Sequence, residues 1–265
     1  MQYELGFIGC GNMGGALVTA AAKKVDGKRI AVCDFDTAKT DKFHAELGVT
    51  VTNAQDIAKN SKFVVLAVKP QVMQSAIADF ADVLKTRTDV VVVTMAAGLS
   101  IAAIRSFIGA DLPTVRIMPN TPVMMGMGMI LYALADVHTD MEKAFLADFE
   151  MAGVFDKLEE KDIDAASALS GCGPAFVYAF IQALADGGIA CGVDKEKALL
   201  YAAQTAKGAA EMLLTYGDSQ TLIKNVCSPG GTTIEGVKSL DKDDLNGVVG
   251  NAVKASYKRT LELKK

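Results

Sequence analysis

Tyr3-Glu4-Leu5-Gly6-Phe7-Ile8-Gly9-Cys10-Gly11-Asn12-Met13-Gly14, residues 3–14, is an apolar run that ends in a glycine-rich turn. A helical pattern over Met13 to Lys24 follows it. A GxGxxG turn alone is a weak signal, but a strand before it and a helix after it make it a dinucleotide-binding fingerprint. Gly9 allows the tight turn, Gly11 lets the backbone approach a pyrophosphate, and Gly14 lets the helix pack close to the strand. Cys10, Asn12 and Met13 complete the turn, and the helix N-terminus offers free N–H groups to phosphates. Asp34 ends the next strand about 20 residues on, where a carboxylate takes the ribose hydroxyls. The expected cofactor is NADH or NADPH, with a lean to NADH. A 2′-phosphate would face Asp34 and Asp36 at short range, and Lys39 and Lys42 would offset only part of that repulsion.

Outward from this turn, short β-branched runs alternate with helical patterns, as in an α/β domain with a largely parallel sheet. Expected strands are Leu5–Ile8, Arg29–Cys33, Thr50–Val51, Phe63–Val68, Val90–Thr94, Thr114–Ile117, Met129–Ala133 and Val154–Lys157. The continuous apolar runs at 63–68 and 90–93 read as central strands covered on both faces. Past Asp162 the strand signals stop. Helical spacing runs through Ile163–Ala190, Lys195–Tyr216, Thr221–Cys227, Thr233–Leu240 and Leu245–Leu263, with Asp194 and Asp218 at N-cap positions. The fold class is therefore α/β: a Rossmann-type dinucleotide-binding domain over residues 1–160, then an all-helical dimerisation and substrate domain over 161–265. The helical half has apolar residues on several faces, as in Ala175–Ile181, more than a hundred residues bury easily alone. A homodimer, or a larger homo-oligomer built from dimers, is expected.

Composition sets the outer bounds. The 265 residues are 51% apolar, enough for two cores, and the formal charge of −4 argues against a nucleic-acid partner. The five cysteines are odd in number and lack CxxC spacing, so a disulfide framework or zinc site is not expected and a reducing compartment is favoured. His44 and His138 stand in polar segments and read as solvated side chains, not metal ligands. A strand begins at Tyr3 with no basic n-region before it, so a signal peptide is not expected. The longest apolar stretch, Val90 to Ile104, is too interrupted to span a bilayer. The expected location is cytoplasmic, with no membrane partner.

Three further segments follow expected strands, where open α/β sheets bind ligands: Ala67-Val68-Lys69-Pro70, Ala96-Ala97-Gly98 and Met118-Pro119-Asn120-Thr121-Pro122. Together with Asn53 they are candidate cofactor contacts, Asn120 being the polar group of the third. The methionines at 118, 124, 125, 127 and 129 read as gap-filling side chains. Ser170-Gly171-Cys172-Gly173-Pro174-Ala175 interrupts the first long helix of the second half. As structure it is a kink; as function it is a floor under a small substrate. Val226-Cys227-Ser228-Pro229-Gly230-Gly231-Thr232-Thr233 is a polar, glycine-rich turn opening a helix, and a candidate substrate site.

These motifs, taken over the whole length, resemble the pyrroline-5-carboxylate reductases. The kink and the Ser-Pro-Gly-Gly-Thr-Thr turn are specific to that family among Rossmann enzymes with helical second domains. The resemblance implies hydride transfer from NAD(P)H to the ring C=N of 1-pyrroline-5-carboxylate, a small-molecule substrate, giving L-proline. It also implies an intertwined helical dimer with active sites built from both subunits. By motif, Thr233 is the catalytic side chain that hydrogen-bonds the ring nitrogen, Gly231 and Thr232 offer N–H groups to the substrate carboxylate, and Asn225 contacts the cofactor. The sequence departs from the usual pattern at Cys172, where serine is commoner, and at Asp34, where NADPH-preferring relatives carry Ser, Asn or Arg. A β-hydroxyacid dehydrogenase would need a lysine on the interdomain helix, and residues 170–192 contain neither lysine nor histidine. A non-catalytic dinucleotide sensor would have no need of the 228–233 turn.

Overall fold

The computed structural model describes residues 1–263. Among these, eight strands form one sheet: β1 (Tyr3–Ile8), β2 (Ile30–Cys33), β3 (Thr50–Val51), β4 (Ser61–Leu66), β5 (Val91–Thr94), β6 (Thr114–Met118), β7 (Gly128–Ala135) and β8 (Gly153–Lys157). Their order is β3-β2-β1-β4-β5-β6-β7-β8. All neighbours are parallel except β6 and β7. Only nine residues join that pair, mostly the 3-10 turn Thr121–Met125, too few for a crossover helix, so β7 returns antiparallel.

Seven helices accompany the sheet: α1 (Asn12–Ala21), α2 (Thr37–Leu47), α3 (Ala54–Asn60), α4 (Pro70–Ala78), α5 (Ala81–Lys85), α6 (Ile101–Ile108) and α7 (Thr139–Asp148). Successive residues of β4 enter opposite cores. Phe63 and Val65 join Leu17, Phe145 and Phe149 on one face, and Val64 and Leu66 join Met73, Ile77 and Ile104 on the other. That is why this run is apolar at every position.

Six helices complete the chain: α8 (Glu160–Ser170), α9 (Gly173–Ala190), α10 (Lys195–Tyr216), α11 (Ser219–Val226), α12 (Thr232–Lys242) and α13 (Leu245–Glu262). Asp194 caps α10 through the Lys197 N–H, and Asp218 caps α11 through Gln220 and Thr221, as their positions in the sequence imply.

The compact units do not divide at residue 160. One comprises Met1–Cys172 together with the chain from Ser256 on, the other Gly173–Ala255. Composition changes where the helices begin, but α8 still packs with the sheet. The cause is a buried ion pair. Arg116 on β6 donates to Asp164 on α8 at 2.6 Å, each side chain 2% exposed. Arg116 also reaches Glu160 at 3.3 Å, and the Glu160 carboxylate accepts the Ile101 N–H that opens α6.

The second unit has a small core of its own, Ala185, Ala198 and Ala202 with Ile181 and Val193. Large apolar side chains remain exposed on α9 and α10, among them Tyr178, Phe180, Leu200, Tyr201 and Leu214. By length and composition Glu160–Ala190, with mean hydropathy 1.4, is long and apolar enough to cross a membrane. The turn at Gly171–Cys172 splits it in two, and α8 carries four charges over residues 160–164. Exposure of this extent calls for a covering partner.

The pair between β6 and α8 makes a direct prediction. Arg116→Met removes the guanidinium from Asp164 and Glu160 and should cost about 3–5 kcal/mol of unfolding free energy. Arg116→Met with Asp164→Leu should recover much of that loss. Denaturant titration measures both. A loss below about 1 kcal/mol, the scale of an exposed pair, would mean that α8 is held to the sheet by other contacts.

Candidate active site

Strand order reverses between β1 and β4, and ligands of open α/β sheets bind outside the carboxyl ends of the strands at such a point. The turn after β1 and the turn after β4 meet there. Gly9 has φ +102°, and a Cβ on it would lie 2.8 Å from the Ala67 carbonyl carbon. A Cβ on Gly14 would collide with the Gly9 carbonyl, whereas around Gly11 the space is open to 4 Å. The three glycines thus separate into a tight turn, a close helix contact and an approach left clear for a ligand.

A cleft of about 500 Å³ lies at this point, lined by Gly11, Asn12, Met13, Gly14, Ala67, Val68 and Lys69, with Met95, Met118 and Pro119. Lys69 N-caps α4, Pro70 begins it, and the Lys69 side chain is exposed. Sequence reasoning missed Met95; its signal was its position directly after β5. The first-turn N–H groups of α1 are free of intrahelical partners and face no capping side chain, since Gly11 occupies the N-cap. The cleft therefore fits a pyrophosphate.

Asp34 stands just past β2 with its side chain 13% exposed. One oxygen accepts the Cys10 N–H at 2.6 Å and the other the Asp36 N–H at 2.9 Å. Burial pushes the carboxyl up, but these N–H bonds and Lys39 together outweigh it and hold Asp34 below its ordinary range. A carboxylate has about four lone-pair sites, so capacity remains for ribose hydroxyls. Lys39 lies 3.6 Å from Asp34 and 3.5 Å from Asp36, and Lys42 lies 3.9 Å from Glu46. Burial, then the charge of Asp34, pushes the Cys10 thiol up to about 12, so it stays protonated in the turn. Phe35, fully exposed beside Asp34, was not singled out from the sequence.

The remaining cofactor-side candidates are distributed differently. Asn53 N-caps α3 through the Asp56 N–H. Ala96 is buried, Ala97 is exposed, and Gly98, at φ +78°, is covered by Leu263. Asn120 donates through Nδ2 to the Ser170 carbonyl at 3.0 Å and accepts the Met129 N–H at 3.0 Å. Its neighbours Met118 and Pro119 line the cleft; Asn120 does not.

The 170–175 segment is a helix break. α8 ends at Ser170, Gly171 and Cys172 form a turn, and α9 starts at Gly173 with Pro174 in its first turn. Nothing lies within 4 Å of where a Gly173 side chain would begin.

The 228–233 turn lies in the second unit. Gly230 is left-handed at φ +72°, and a Cβ on Gly231 would meet the Ser228 hydroxyl at 2.5 Å. Gly231, not Thr233, is the N-cap of α12, and no side chain caps that end. The Gly231 N–H donates to the Ser228 carbonyl at 3.0 Å. The first-turn N–H groups, from Thr232 on, have no intrahelical partner. Thr233 is exposed and its hydroxyl makes no hydrogen bond among the described residues. Asn225 is exposed near the end of α11, lining a recess of about 380 Å³ with Met212, Tyr216 and Asp218. No cluster of three or more His, Cys, Asp or Glu among the described residues is grouped to hold a metal.

The chain is similar to known proteins over its full length. A family model described as pyrroline-5-carboxylate reductase dimerisation matches residues 160–263, and one described as NADP oxidoreductase, coenzyme F420-dependent, matches residues 4–98. The pyrroline-5-carboxylate reductase of Pisum sativum is 35% identical over 99% of this chain and 96% of its own. That of Escherichia coli K12 is 32% identical over the whole of both. The solved structure of the Coxiella burnetii pyrroline-5-carboxylate reductase superposes with a TM-score of 0.91 at 32% identity, covering both chains fully. That of the Plasmodium falciparum enzyme, with NADP bound, gives 0.86 at 30%, again over both whole chains. With such identity running from end to end, the chain belongs to the pyrroline-5-carboxylate reductase family.

Proposed function

We propose that the chain reduces the ring C=N bond of 1-pyrroline-5-carboxylate to L-proline with NADH or NADPH, and that the start of α12 receives the substrate. The observation that carries this reading is the unspent polar capacity there. Gly231 takes the cap position, which leaves the Thr233 hydroxyl and the first-turn N–H groups without partners among the described residues. A helix N-terminus with free amides suits a carboxylate. The Thr233 hydroxyl, one residue into the helix, serves the ring nitrogen.

The chemistry asks little of acid or base groups, because a cyclic imine is readily protonated and its carbon is then electrophilic. Bound NAD(P)H supplies a hydride to that carbon, and the C=N π pair becomes the amine lone pair. The protein's part is orientation. Fixing two reactants in contact contributes up to ~7–11 kcal/mol in favourable cases. The α12 amides hold the carboxylate, Thr233 holds the nitrogen, and the small residues of the 170–174 break form the floor on which the ring lies. Asn225 contacts the cofactor.

Asp34 favours NADH. It holds charge, and Lys39 and Lys42 each stand beside carboxylates, which offset part of their charge toward a 2′-phosphate. The second unit's exposed apolar faces and its dimerisation-type sequence support association through those helices. The five unbridged cysteines suit a reducing compartment such as the cytoplasm.

Three outcomes follow from this reading. Thr233→Ala should lower kcat/KM about 10–100-fold, the range for one hydrogen bond to a charged group, with NADH affinity unchanged. Thr233→Ser should keep most of the activity, and steady-state kinetics with a fluorescence titration of NADH separates these effects. A fully active alanine variant would remove Thr233 from the reaction. NADH should be used at least as well as NADPH by kcat/KM, and Asp34→Ser should move the ratio toward NADPH by about tenfold or more. A strong preference of the unaltered chain for NADPH would mean that Asp34 does not read the ribose. Light scattering should give a dimer or a multiple of one; an active monomer would exclude a shared helical core.

A further inference from the structure

We propose that Asn120 is a positioning residue that replaces the hydrogen bond Pro174 removes, and so holds the 170–174 break in the shape the substrate requires. In a continuous α-helix the carbonyl of Ser170 would accept from the N–H of residue 174. Residue 174 is proline and has no N–H. The carbonyl instead accepts from Asn120 Nδ2 at 3.0 Å. The other end of the same amide accepts the Met129 N–H at 3.0 Å, and the side chain is almost fully buried. Both ends of Asn120 are therefore engaged with protein, and a direct bond to the cofactor would have to displace one of them.

The donor has a particular origin. Asn120 follows Met118 and Pro119, which line the cofactor cleft, and its bond to Met129 pins it to the start of β7. The loop that borders the cofactor thus also fixes the last carbonyl of α8. An unpartnered carbonyl at this part-buried position would be relieved by rearranging the break, so losing the Asn120 donor should move Gly171–Pro174. This rests on the reading that the substrate lies on that break.

The experiment measures the KM for pyrroline-5-carboxylate and the Kd for NADH in Asn120→Asp and in Gly173→Val. Aspartate keeps the acceptor for Met129 but turns a carboxylate oxygen toward the Ser170 carbonyl. The expected result is a rise in KM of about tenfold or more, with the NADH Kd within about twofold of the unaltered chain. At acid pH a protonated aspartate donates again, so the ratio of variant to unaltered KM should fall as pH falls. A role in stability alone would lower the unfolding temperature without moving KM or creating that pH dependence. Gly173→Val fills the open space at the break and should raise KM directly. If it raises KM while Asn120→Asp does not, the positioning role is overturned and the substrate floor stands. If Gly173→Val leaves KM unchanged, the floor reading fails and takes this proposal with it. A raised NADH Kd with unchanged KM in Asn120→Asp would make Asn120 a cofactor ligand and overturn the proposal. Should the aspartate variant not fold, Asn120→Ser, which leaves room for a bridging water, is read by the same KM and Kd criteria.

Discussion

Everything in the first unit depends on one constraint: a parallel sheet covered on both faces must reverse its strand order somewhere, and the reversal leaves a crevice. Here it falls between β1 and β4. Val64 and Val65 on β4 face opposite cores, so neither face is free to bind anything. Ligand contacts are confined to loops at the strand ends. The Gly9–Gly14 turn fills that position on one side and Ala67–Lys69 on the other, and they approach closely enough that a side chain on Gly9 would strike the Ala67 carbonyl. The cleft is thus a consequence of sheet topology, shaped by three glycines.

A second constraint concerns the helices that follow. Two kinds of bond attach α8 to the sheet: the buried Arg116–Asp164 pair along its length, and the Asn120–Ser170 bond at its end. The helix breaks at Gly171, and Pro174 makes continuation as one helix costly. Beyond the break, α9 and α10 share only a small alanine core. Their exposed tyrosines, phenylalanine and leucines make sense as one half of an interface, which agrees with the dimerisation family that this segment matches.

Much of the fold was legible from local pattern. The runs at 63–68 and 90–93 announced central strands because alternate positions both had to be apolar. Asp194 and Asp218 marked helix starts because short carboxylates cap better than they propagate. The antiparallel β7 was not legible: its direction is set by the length of the link from β6, not by its own residues. Composition changes at α8, and the dimerisation model also begins at residue 160, whereas the compact units part at residue 172 because the contacts that hold α8 come from Arg116, forty-odd positions earlier in the chain. At the site, the glycine roles could be read from spacing, but hydrogen-bond accounting could not. That Gly231 spends its N–H on Ser228, that Thr233 stands one position inside the helix, and that Asn120 faces Ser170 all depend on geometry across turns.

The central claim is that this chain delivers a hydride to the carbon of a cyclic imine. Its most direct test uses NADH deuterated at the transferable C4 position, with pyrroline-5-carboxylate as substrate and NMR of the product. The account predicts L-proline carrying one deuterium on the ring carbon next to nitrogen, formed in step with cofactor oxidation. Oxidation of the cofactor with no label in proline, or tight cofactor binding with no turnover of the imine, would contradict it.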